Sequence, residues 1–229
     1  MNKILARYVP LVDFLGKALG PDYEIALHDF SGGIYSNSIV AIANGFNTGR
    51  KVGSPITGKA LEFISEKVYE REDYRVNYTG RVSDSVSTRS STMFIKDDGD
   101  RLVGMLCVNY NTARLNDAVG KIFDLFQLTP SASGPAPQNP VSEQPRDPAT
   151  EYFTSSIEHL IASMLDVSTP RERLTQEEKI EIVRNLNQKG VFQIKGAVSA
   201  VAQQLCTSEA SVYRYLGKIN RERDGARPE

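Results

Sequence analysis

Residues 195–216 read Lys195-Gly196-Ala197-Val198-Ser199-Ala200-Val201-Ala202-Gln203-Gln204-Leu205-Cys206-Thr207-Ser208-Glu209-Ala210-Ser211-Val212-Tyr213-Arg214-Tyr215-Leu216. Two short helical patterns flank a turn of three to four residues. Val201, Leu205, Val212 and either Tyr215 or Leu216 fall on the inward side, and Ala202 is small where a crossing helix must approach. Ser208 suits the N-cap of the second helix. This is the helix-turn-helix layout, in which the second helix enters a major groove about 12 Å wide. The candidate DNA contacts are Ser208, Glu209, Ala210, Ser211, Tyr213, Arg214 and Lys218, with Gly217 sharing the outward face. Arg214 suits a guanine edge or a phosphate, while Ser208 and Tyr213 suit phosphates. A plain three-helix bundle or dimerisation module shares this spacing. The residue after Leu205 is usually glycine, because the turn often enters the left-handed region. Cys206 there costs about 1 kcal/mol. It reads as a tolerated small residue, with a redox-sensing thiol as the alternative.

Charge supports a local nucleic-acid surface only. The chain has 27 basic and 28 acidic residues, so it is no polycation. From Ile182 to Arg223, however, seven basic residues stand against Glu209 and Glu222. Lys218, Arg221 and Arg223 supply counter-charge for a phosphate backbone.

Upstream, Thr175-Gln176-Glu177-Glu178 fits a capping box that opens a helix ending at Gly190. Phe192 and Ile194 are expected to pack beneath the next turn. Glu151 to Leu165 reads as one amphipathic helix, broken by Pro170. Before it, six of the chain's 11 prolines fall between Pro130 and Pro148. Proline removes backbone donors and small polar residues bury little, so no core nucleates there. Three regions follow: residues 1–129, a linker at 130–150, and a helical domain at 151–229 with the helix-turn-helix at 195–217.

The first region mixes patterns. Asn2 to Leu19 reads as a single helix stopped by Gly20-Pro21. Tyr23 to Phe30 alternates with period two and reads as a strand. After the turn Ser31-Gly32-Gly33 comes a second strand, Ser38 to Ala43, and a helix from Thr57 to Tyr69. Ser91–Lys96 and Arg101–Tyr110 flank Asp97-Asp98-Gly99-Asp100, a hairpin signal attributed to the positive φ that Gly99 tolerates. A helix over Thr112–Leu128 follows, with Leu115, Val119, Ile122, Phe123 and Phe126 on one stripe. The expected fold class is α+β: an antiparallel sheet with flanking helices, then an all-α domain.

These residues also carry a resemblance. The stretch from Phe192 to Leu216 resembles the DauR-like helix-turn-helix domain. The N-terminal region resembles the YheO-like PAS domain, through Glu24-Ile25-Ala26-Leu27-His28-Asp29, Ile42-Ala43-Asn44-Gly45, Thr48-Gly49-Arg50, Gly53-Ser54-Pro55-Ile56-Thr57, Asn77-Tyr78, Arg89-Ser90-Ser91-Thr92 and Cys107-Val108-Asn109. The resemblance covers nearly the whole chain outside the linker. It implies a bacterial transcription regulator with a PAS-like sensor. Cys206 departs from the family's usual glycine.

Polar residues inside a PAS-like sheet need partners, because burying one unpaired costs roughly 1–3 kcal/mol. The candidate effector-binding residues are His28, Asp29, Asn44, Arg50, Ser91 and Asn109. Arg50 suits a carboxylate and Asp29 an amine. The competing readings are His28 as a core strand residue, Arg50 as a turn-stabilising group and Asn44 as part of an Asn-Gly turn. The resemblance suggests an amino-acid-like effector. No cofactor and no metal site is expected, since two histidines and two distant cysteines make no ligand cluster. No nucleophile, metal-ligand or phosphate-loop motif points to an enzyme. No membrane span or secretory signal is evident, which fits the cytoplasm. A homodimer is expected, with the segment Glu151–Leu165 and the N-terminal helix as its apolar surfaces. A signalling adaptor, whose helical domain binds protein, is the alternative function.

Overall fold

The structure is a computed structural model, and it describes residues 2–33, 35–83, 86–127, 151–153, 156–165 and 174–224. The Pro-rich segment and Pro170 lie outside the described residues. The chain opens with two helices, α1 (Lys3–Ala6) and α2 (Val9–Leu19), where the sequence reading expected one. Pro10 explains the break. It sits in the first turn of α2, where its missing N–H does no harm. A continuous helix would instead press its ring on the Ala6 carbonyl.

Five antiparallel strands form the sheet: β1 (Tyr23–Asp29), β2 (Ile39–Ala43), β3 (Tyr74–Ser83), β4 (Val86–Lys96) and β5 (Leu102–Asn111). A two-residue strand, β6 (Glu151–Tyr152), adds in parallel to β3, giving the order β2-β1-β5-β4-β3-β6. β1 is an inner strand and is buried on both faces rather than alternating between core and solvent. One face, through Ile25 and Leu27, packs on Leu5 and Val12 of α1 and α2. The other, through Ala26 with its β5 neighbours Met105 and Cys107, packs beneath α3 (Gly58–Ser65). That helix is shorter than expected, with Thr57 as its N-cap and a 3-10 turn at Val68–Glu70.

The β4–β5 hairpin is present, but its turn differs from the expected one. The left-handed residue is Asp100 (φ 57°), not Gly99. Asp97 accepts from the Gly99 and Arg101 amides, and this anchors the loop. β3 was not expected at all. Its outward side chains Tyr74 and Val76 are exposed, and a left-handed Asn77 (φ 57°) breaks its register with β4.

Helix α4 (Ala113–Leu125) follows the sheet and buries no residue. The remaining helices are α5 (Ile157–Met164), α6 (Gln176–Gln188), α7 (Ala197–Gln204) and α8 (Glu209–Asp224). The expected helix over Glu151–Leu165 is therefore half strand, because Glu151–Tyr152 pairs with the edge of the sheet. α5 packs on α7 and also touches α3, where Met164 and Leu160 close over Gly58. A single apolar core runs from Ala26 and Met105 in the sheet, through Leu61 and Leu160, to Val201 and Val212 in the helical region. Leu160 and Ile161 are spent on that core, so the expected use of α5 as a dimer surface is corrected. Among the described residues no helix is long and apolar enough to cross a membrane.

Candidate functional sites in the sensor sheet and the helical region

Strand register builds the sensor interior. Glu24 of β1 stands opposite Asn109 of β5, which stands opposite Ser90 of β4, which stands opposite Tyr78 of β3. These four form one polar row. A second row places Ala26 beside Cys107 and Cys107 beside Thr92. In sheets such opposed side chains are near neighbours. Thr92 Oγ1 is 3.2 Å from Cys107 Sγ and 2.8 Å from the Tyr78 hydroxyl.

Arg50 enters this face from the loop after β2. Its guanidinium donates to Glu24, and Thr48 also donates to that carboxylate. Asn109 Nδ2 donates to Glu24 Oε1 at 3.1 Å. The Arg50–Glu24 pair is almost wholly removed from solvent. Burial opposes the Arg50 charge, but Glu24 and Glu151 outweigh it and hold its pKa above the usual range. Glu151, from β6, is also buried, and its Oε1 accepts from Thr57 Oγ1 at 2.6 Å. Burial pushes the Glu151 carboxyl upward against the pull of Arg50. Burial, aided by Glu151, raises the Cys107 thiol to about 12, so it is an inert core group. The Phe153 ring completes the cluster, with Arg50 Cζ 4.7 Å from its centroid.

Of the six candidate effector residues, Arg50, Asn109 and His28 share this face. Arg50 and Asn109 meet on Glu24. His28 lies apart, 2.9 Å from Ser38 Oγ, and burial with Arg50 nearby lowers its pKa to about 3. It is neutral at pH 7. The other three serve the backbone. Asp29 Oδ1 accepts from the Ser31 amide at 2.9 Å and closes the following turn. Asn44, left-handed at φ 54°, donates to the Gly16, Gly20 and Tyr23 carbonyls. Ser91 Oγ accepts from the Asn77 amide at the bulge, on the opposite face from Ser90. Sequence reasoning missed Glu24, Thr48, Thr57, Ser90 and Glu151 as partners. Period-two spacing from Ala26 and His28 would have put Glu24 on the same face; nothing local in the sequence marks Glu151. A separate cleft of about 480 Å³ is lined by Phe30, Tyr35, Ile64, Tyr69 and Leu102 with charged Glu70, Asp100 and Arg101. None of the six candidates lines it.

In the helical region the capping box is complete: Thr175 Oγ1 accepts from the Glu178 amide, and Glu178 Oε2 accepts from the Thr175 amide at 2.7 Å. Cys206 adopts φ 48°, which is the left-handed position. Ser208 Oγ accepts from the Ser211 amide at 3.2 Å and caps α8. Val212, Tyr215 and Ile219 face inward, and Leu216 is only half-buried. Ser208, Glu209, Ala210, Tyr213, Arg214 and Lys218 are exposed, while Ser211 is half-buried. Arg184 of α6 is not free counter-charge: it pairs with Glu181 and, at 2.6 Å, with Glu222 of α8. The Arg223 side chain lies outside the described residues.

Comparison with known proteins fits this geometry. A family model described as a YheO-like PAS domain matches residues 1–127, and one described as an HTH domain matches residues 156–217. The chain is 31% identical over 226 residues to an uncharacterised protein of Haemophilus influenzae, covering 96% of this chain and 93% of that one. It is 32% identical over 218 residues to the uncharacterised protein YheO of Escherichia coli, covering 93% and 83%. It is 26% identical over 219 residues to the transcriptional regulator DauR of Pseudomonas aeruginosa, covering 94% of each.

Proposed function

The chain belongs to the YheO-like PAS domain family, with an HTH domain joined to it, and we propose that it is a transcription regulator whose PAS domain senses a small metabolite. The coarse part of that reading rests on the two domains and on the DauR relative: a DNA-binding regulator, not an enzyme. The single observation that carries it is the outer face of α8. There Ser208, Tyr213, Arg214 and Lys218 stand exposed on a helix whose inner face is locked by Val212 and Tyr215. Arg214 reads a base edge or a phosphate, and the others position the backbone.

The metabolite-sensing part is supported by the buried polar row around Arg50, Glu24 and Asn109. We place the protein in the cytoplasm with its DNA. We infer a homodimer, since paired recognition helices about 34 Å apart match one turn of the duplex. α4 offers the seam, because Leu115, Val119, Ile122 and Phe126 recur along one exposed stripe.

The test is capture of genomic fragments on the purified full-length protein, followed by a salt titration. The regulator reading expects one enriched pseudo-palindromic site whose affinity falls steeply as salt rises. The exposed Tyr213 favours one competing reading, an adaptor in which the helical region grips a protein. Absence of any enriched site at low salt, with or without metabolite pools, would favour that reading instead.

A further inference from the structure

β6 is an unusual addition to the sheet. It is two residues long, it pairs in parallel, and it arrives from the far side of the Pro-rich segment. Glu151 is nonetheless only 2% exposed, and it enters the space already holding the Arg50–Glu24 pair. Two carboxylates therefore bear on one guanidinium, Glu24 by a direct ion pair and Glu151 through its charge alone. Glu151 Oε1 takes the Thr57 hydroxyl and the Ser90 hydroxyl also bears on the carboxylate, while Oε2 has no partner in full hydrogen-bond geometry. Asn109 Oδ1, fully buried in the same polar row, has none either. Buried acceptors left unpaired are costly.

The rest of the segment is fitted to its place. The Phe153 amide donates to the Arg81 carbonyl at 3.3 Å. Its ring lies over Gly80, where a Cβ would come within 2.7 Å of Phe153 Cε2. A Cβ at position 80 would meet the Thr88 hydroxyl first and this ring next, so glycine is what leaves room for the ring. Three residues beyond Phe153, Ser156 caps α5, and α5 packs on α7 of the helix-turn-helix.

We propose that Glu151–Phe153 occupies the effector seat of the sensor, and that the effector is a small carboxylate which replaces the Glu151 carboxylate on Thr57, beside the buried Arg50–Glu24 pair. This deepens the metabolite-sensing reading and rests on it. The seat is built: a buried guanidinium, the Thr57 and Ser90 hydroxyls, and the capped N-terminus of α3. A ligand that takes it expels β6. Because β6 leads directly into α5, its release alters the packing of α5 on α7 and thereby the presentation of α8. The effector and the chain's own segment compete for one buried seat beside that pair, so their binding is mutually exclusive.

Propionate reproduces the end of a glutamate side chain, and propionamide is its neutral match. Thermal unfolding of the full-length wild type, Glu151→Ala and Glu151→Gln is followed with each compound at fixed ionic strength. Propionate is expected to stabilise all three chains more than propionamide does. The propionate concentration for half-maximal effect is expected to fall by about tenfold or more in the two variants, since a self-occupied seat lowers apparent affinity by its free fraction. Glu151→Gln keeps the side-chain shape and serves if Glu151→Ala fails to fold. Equal responses to propionate and propionamide in every folded chain would overturn the proposal. A captured DNA fragment then separates the two readings. Fragment binding by the wild type with no selective propionate effect sinks the seat alone. Selective propionate stabilisation in a chain that captures no DNA sinks the regulator reading and leaves the seat standing.

Discussion

Arg50 and Glu24, 26 positions apart, form an ion pair whose side chains are 1% and 0% exposed. Three segments converge on it: Thr48 shares Glu24, Asn109 reaches it from β5, and Phe153 covers Arg50. Breaking such a pair from one side strands a charge in the core, which costs about 3–5 kcal/mol. Arg50→Ala is expected to lose that much in urea unfolding. Arg50→Met with Glu24→Gln is expected to recover part of it, because Glu24 no longer carries charge while the buried Glu151 carboxyl still loses its cation. A single-variant loss below about 1 kcal/mol would contradict a load on this pair.

His28 sets a pH dependence whose sign follows from its lowered pKa. Folded, it titrates at about 3; unfolded, at the ordinary value of 6.5. Between those values the unfolded chain binds the extra proton, so stability falls as pH drops below 6.5. From pH 7 to pH 5 the loss from this group is about 2 kcal/mol. Glu151 acts in the opposite sense: its raised pKa stabilises the fold at low pH, and that contribution fades as pH rises through the folded value. His28→Gln removes only the first effect. Urea unfolding at the two pH values is expected to show a clearly smaller difference in that variant than in the wild type.

Cys206 sits at φ 48° with its side chain exposed. A left-handed non-glycine residue costs about 1 kcal/mol. Cys206→Gly is therefore expected to raise stability by up to that amount, less the entropy that glycine adds to the unfolded chain. Calorimetry of the full chain checks it, and a lower melting temperature would show that the Cys206 side chain contributes more than its strain costs.

Arg214 and Lys218 are both exposed on α8 but are given different roles. Arg214→Ala is expected to weaken binding to the captured site by about 1–3 kcal/mol and to relax its specificity. Lys218→Ala is expected to weaken all sequences alike and to reduce the slope of log affinity against log salt by about 1. Unfolding curves should match the wild type for both, because neither residue is in the core. Competition titrations against a scrambled fragment distinguish the two roles.

Much of the helical region was legible because its signals are local. Thr175 and Glu178 cap each other across one turn, and the inward positions Val201, Leu205 and Val212 recur at helical spacing. The β4–β5 hairpin was legible as well, although the turn places its strain on Asp100 rather than Gly99. β3 was hidden because it is half exposed and interrupted at Asn77, which gives its apolar residues no clean alternation. In the sensor, Arg50 and Asn109 stood out as polar residues beside apolar runs. Asn44 and Ser91 stood out for the same reason and turned out to hold backbone. Composition cannot separate a side chain facing the interior from one closing a turn.

By itself the sequence determined the α+β sensor region, the helical region after the prolines and the helix-turn-helix register with its left-handed Cys206. Each depends on residues within a few positions of one another, and spacing along the chain encodes them. Only the tertiary structure decided that Glu24, Asn109 and Ser90 form one row, because strand register is set by pairing across the sheet. Only it decided that Glu151 leaves the helical pattern to enter the sensor core. A two-residue parallel pairing 71 positions from its partner Gly80 has no local signal, and Thr57 and Gly80, which receive it, come together only in the folded sensor.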